Sequence, residues 1–129
     1  MDMHPKWFKD EICEELQGAA EYWKCAIDTM KARPEWSKKF AKMAHMEQEH
    51  ATCLYKMFVE MYAESQGQDT YMTSMRDAIM DCFSKQMRTI EDHKITYDMM
   101  MEGKEVETEE MGMEDEMLYQ QTRIPVDFG

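Results

Sequence analysis

The sequence predicts an all-α fold, an antiparallel bundle of three long helices with a short fourth helix near the C-terminus. Three observations predict it. Apolar residues advance by threes and fours over long stretches, no segment alternates in the two-residue rhythm of a strand, and only two breaks interrupt the pattern before residue 102. Helices of about 25–30 residues run about 40 Å at 1.5 Å per residue, and short turns between them force antiparallel neighbours.

The first helix is expected from about Trp7 to Lys31, with Phe8, Ile12, Ala19, Tyr22 and Ala26 on its apolar side. Arg33-Pro34 ends it, and proline suits the first turn of the next helix. The second, about Pro34 to Glu64, carries Phe40, Met43, Leu54, Met57 and Met61 in the same rhythm. Ser65-Gln66-Gly67-Gln68-Asp69 reads as a turn, with Asp69 placed to cap the third helix. That helix runs to about Met101 through Met72, Met75, Ile79, Phe83, Ile90 and Tyr97. Residues 1–102 then form a bundle domain and 103–129 an acidic tail, with the short helix around Glu114–Gln121. The seventeen methionines are expected to fill core stripes, because the flexible thioether fits irregular gaps.

The formal net charge is −12, and the 15 residues from Glu102 to Glu116 hold eight acidic groups against one lysine. That balance argues against a nucleic-acid binder, since phosphate rewards the opposite sign. No apolar run reaches the roughly 18–20 residues that span a bilayer, so no membrane role is expected. The four cysteines, Cys13, Cys25, Cys53 and Cys82, show no metal or redox spacing. They read as reduced, and with the charged N-terminus they suggest a cytoplasmic location.

Chemistry enters through residues that break the apolar stripes. On the first helix the register 8, 12, 15, 19, 22, 26 passes through Glu15. On the second, 40, 43, 47, 50, 54, 57, 61 passes through Glu47 and His50. A carboxylate at such a position is costly unless it is paired, hydrogen-bonded or metal-bound. Glu21, His45 and Glu49 fall off the stripes and read as solvated. With the turn near residues 32–33, residues whose numbers add to about 65 lie level, which Glu15 and His50 satisfy and Glu15 and Glu47 nearly do. The three-residue spacing of Glu47 and His50 puts them on one helix face.

The run Phe40-Ala41-Lys42-Met43-Ala44-His45-Met46-Glu47-Gln48-Glu49-His50-Ala51 resembles the second helix of the ferritin-like superfamily, in particular its rubrerythrin and encapsulated-ferritin branches. Glu15 with Tyr22 seven residues later is similar to the first-helix motif of that family, and the 32-residue step from Glu15 to Glu47 is similar too. The resemblance spans roughly Phe8 to Met61, about 40% of the chain. It implies a ferritin-like bundle in which Glu15 and His50 are terminal ligands and Glu47 bridges two iron ions. It also implies oxidation of Fe(II) by O2 or peroxide, with Tyr22 as the residue supporting the centre and manganese or zinc compatible with the same donors.

One chain holds only half of such a ligand set. Residues of the third helix level with Glu47 and His50 fall near Met87 and Ser84, and Glu91, His93, Asp77 and Asp81 miss that height or face. A homodimer, or a larger homo-oligomer built from dimers, would supply four carboxylates and two imidazoles. The alternative is a non-enzymatic helical structural or interaction protein with a buried Glu/His cluster and no metal.

Overall fold

A computed structural model describes residues 4–66 and 69–108, with side chains described through residue 103. The chain is all-helical, with α1 over Pro5–Thr29, α2 over Pro34–Glu64 and α3 over Thr70–Thr108, and no strand among the described residues. None of these helices is long and apolar enough to cross a membrane.

Proline opens both of the first two helices. Its fixed φ suits the first turn, where its missing N–H has no intrahelical partner to lose. The turn between them closes through the Arg33 N–H, which donates to the Thr29 carbonyl at 2.7 Å. At the far end of α2, Gln66 takes a φ of 57°, the left-handed conformation in which helices commonly end. Asp69 then caps α3 as its sequence position predicts, its Oδ1 accepting from the Tyr71 and Met72 N–H groups at 2.9 and 3.3 Å. α3 continues to Thr108, so the start of the expected tail is helical. The short helix expected at 114–121 lies outside the described residues.

α1 is the element on which the other two pack. Its buried side is Phe8, Ile12, Leu16, Ala19, Trp23 and Ala26, with Met30 just beyond its end. Against it α2 turns Ser37, Ala41, Ala44, Gln48 and Ala51, followed by Phe58. This corrects part of the expected α2 stripe, of which Phe40, Leu54 and Met61 do pack half-buried against the core. Met43 and Met57, placed in the core by the sequence rhythm, are 38% and 49% exposed. The reason is size. Small residues let the two helices approach closely, so the alanine face is the one buried, while a hydropathy pattern is dominated by the larger side chains beside it. The methionines divide likewise: Met30, Met72 and Met101 are buried, but Met46, Met80 and Met99 are exposed with Met43 and Met57.

Polar and aromatic contacts fix the register. The Ser37 hydroxyl donates to the Ala26 carbonyl across the α1–α2 seam. The fully buried Trp23 donates its indole N–H to Gln48 Oε1 at 2.9 Å and meets Tyr97 of α3 edge-on at 5.3 Å. Tyr55 of α2 meets Phe83 of α3 at 5.4 Å. A disulfide joins Cys13 of α1 to Cys82 of α3, while Cys25 and Cys53 are free. The expectation that all four thiols are reduced is thereby corrected. Two cysteines 69 residues apart meet because facing helices bring their Cα atoms to 5.7 Å, a separation that spacing along the chain does not display. Disulfides persist mainly in oxidising environments, so reduced thiols no longer support a cytoplasmic location.

Candidate metal centre

Glu15 lies mid-way along α1, one position before the buried Leu16, and Glu47 and His50 flank the buried Gln48 on α2. All three therefore sit at the edge of the α1–α2 seam rather than at its centre. Their side chains converge. One ligand atom from each lies within 4.8 Å of the other two, the one such group of three among the described residues. His50 Nδ1 stands 3.4 Å from Glu15 Oε2. The His50 side chain is 56% exposed and that of Glu15 22%, so the cluster opens outward along His50.

Its electrostatics follow from that half-buried position. Burial pushes the Glu47 carboxyl up to about 7 from the ordinary value of 4.5. A hydrogen bond and charge repulsion from Glu15 push the same way, while His50 opposes them. Glu15 Oε2 is itself a buried oxygen with no partner in hydrogen-bond geometry. An acceptor so placed is costly. One turn beyond Glu15, Gly18 leaves open the space beside Glu47: a Cβ built there would stand 3.3 Å from Glu47 Oε2.

The remaining sequence candidates stay outside. Tyr22 is half-buried and stacks on Phe40 with ring centroids 6.1 Å apart, and no hydrogen bond joins it to the cluster among the described residues. Glu21 and Glu49 are exposed as expected. His45 is half-buried rather than solvated, and its Nε2 pairs with Glu49 at 3.0 Å. No α3 residue joins the group of three, His93 and Glu91 included. Two residues that the sequence reading gave no role belong to the setting: Gln48, whose position between Glu47 and Glu49 hid its burial, and Gly18, whose signal was a glycine inside a helix at the height of Glu47.

The donor set fits a divalent first-row metal ion. Two carboxylates and an imidazole suit iron, manganese or zinc, and three protein ligands leave coordination positions open. Glu15 Oε2, buried and outside any hydrogen bond though 3.4 Å from His50 Nδ1, is an acceptor that such an ion would satisfy. No protein-family model matches the chain, and no curated protein or solved structure shows a significant match.

Proposed function

We propose that Glu15, Glu47 and His50 bind a divalent metal ion, and that two copies of the chain combine their clusters into a di-iron centre that oxidises Fe(II) with O2 or peroxide. The observation that carries this reading is the convergence of one ligand atom each from Glu15, Glu47 and His50 within 4.8 Å of one another. When bound, a pair of iron ions supplies two electrons together to the oxidant. The chain's own part is to place donors and release a proton. Glu47, holding its proton up to about pH 7, gives it up as a cation takes its place. His50 turns Nδ1 toward Glu15, which leaves its exposed edge toward a second cluster.

The proposal of a second copy rests on the outer face of α2. Glu47 and His50 lie amid Trp36, Met43 and Met57, which are exposed, and Phe40, Leu54 and Met61, which are half-buried against the core. About the midpoint between Glu47 and His50 this face is symmetric: Met43 mirrors Leu54, Phe40 mirrors Met57 and Trp36 mirrors Met61. A twofold contact requires a self-complementary patch. Antiparallel pairing of two α2 helices about that midpoint would match apolar to apolar and bring the two clusters together.

A second reading is favoured by a specific observation. Glu15 already faces His50 and shares a hydrogen bond with Glu47, so a single chain holds the cluster without a metal. On that reading the protein is a non-enzymatic structural or interaction bundle whose polar cluster fixes helix register, and it asks for nothing beyond one chain. Metal analysis of protein purified without chelator separates the two. The metal reading expects about one ion per chain, lost in Glu47→Ala, and oxygen uptake when Fe(II) is added. Trace metal unchanged in Glu47→Ala would leave the non-enzymatic reading standing.

A further inference from the structure

Gly18 stands inside α1 with ordinary helical φ, so the backbone does not call for a glycine there. Glycine in a helix interior is destabilising relative to alanine. What distinguishes the position is its surroundings. An added Cβ would meet Glu47 Oε2 at 3.3 Å, Cδ at 3.6 Å and Cγ at 3.8 Å, and these three atoms of one side chain are its nearest neighbours. Gly103 on α3 offers the contrast, with nothing within 4 Å of its built Cβ. The space at Gly18 is thus taken up by the Glu47 carboxylate, which lies along α1 one turn from Glu15.

We infer that Gly18 is the positioning residue of the cluster: by lacking a Cβ it gives the Glu47 carboxylate its seat against α1, facing Glu15 and His50. A side chain at residue 18 would displace that carboxylate by a few tenths of an ångström away from the helix that carries Glu15. Two opposed consequences follow from one methyl group. Alanine at 18 improves helix propensity, yet it spoils the placement of a ligand. An ion held by three donors registers displacement of one of them directly.

The affinity part of this inference rests on the metal reading above, whereas the seating of Glu47 does not, and the experiment separates them. In metal-free protein, thermal unfolding is measured for Gly18→Ala in the wild-type and Glu47→Ala backgrounds, with Gly103→Ala as the control. Gly18→Ala is expected to raise the melting temperature more when Glu47 is absent, because only then is the propensity gain free of the clash. Cobalt(II) is then titrated into each protein, its visible absorption reporting coordination. The expected result is binding at least tenfold weaker in Gly18→Ala with a changed spectrum, and unchanged binding in Gly103→Ala. Equal stabilisation in both backgrounds overturns the inference, as does wild-type cobalt affinity and spectrum in Gly18→Ala. If wild-type protein takes up no cobalt while the stability coupling is present, the metal reading fails alone and Gly18 stands as the residue that seats Glu47 in a metal-free cluster.

Discussion

Toward α3, α1 is held by the Cys13–Cys82 disulfide and by Trp23 against Tyr97, with Ile79, Phe83 and Ile90 of α3 fully or nearly buried. Toward α2, the contacts are the small residues Ala41, Ala44 and Ala51, hydrogen bonds from Ser37 and Trp23, and the Glu15–His50 pair. Three features that cost stability lie together on the second seam: Gly18 inside α1, the raised pKa of the Glu47 carboxyl and the buried Glu15 Oε2 outside any hydrogen bond. The contrast separates a seam that holds the fold from one that carries the candidate metal cluster.

Breaking the holding seam has the largest expected effect. Replacing Cys13 and Cys82 by serine frees a loop closed over 69 residues, which the chain-entropy account values at about 4 kcal/mol. Chemical denaturation should show that loss, while metal binding by protein that remains folded should be unaltered. A matching loss of metal affinity would mean that the seams are not independent.

The residue shared by both seams should show an intermediate effect. Trp23→Phe keeps a ring against Tyr97 but removes the indole donor to Gln48 Oε1. Gln48 is buried and its Nε2 already lacks a hydrogen-bond partner, so leaving its oxygen unpaired too should cost about 1–3 kcal/mol in denaturant titrations. A neutral outcome would show that the amide reaches water.

The smallest effect belongs to the chemical seam and depends on pH. Glu47 holds its proton to about pH 7 in the folded chain, against an ordinary value of 4.5. The folded state therefore binds more protons than the unfolded state between those values. Glu47 imposes no penalty below 4.5, and metal-free stability should fall as pH rises toward 7 and level off above it. Glu47→Gln should flatten this part of the melting-temperature profile. A slope that survives the substitution would assign it to another group.

Much of this was legible in the sequence, but unevenly. The helix ends were written in Pro34 and Asp69, whose effects are local. The cluster was legible because helix register and the turn at residues 32–33 together place Glu15, Glu47 and His50. The buried face of α2 was not, since its alanines carry a weak hydropathy signal beside Met43, Leu54 and Met57. The Cys13–Cys82 bond was hidden for a different reason: it depends on the relative rotation of α1 and α3, and no local pattern encodes that. The outer face of α2 joins these points, because Met43 and Met57, expected in the core, lie on the apolar surface beside the cluster.

Native mass spectrometry of the iron-loaded protein, prepared without oxygen, tests most directly whether the chemical seam functions as a shared metal centre. A dimer carrying two iron ions is expected, reduced to metal-free protein by Glu47→Ala and to monomer by Met57→Lys on the outer face of α2. A metal-free monomer under conditions in which wild-type protein is folded would contradict it.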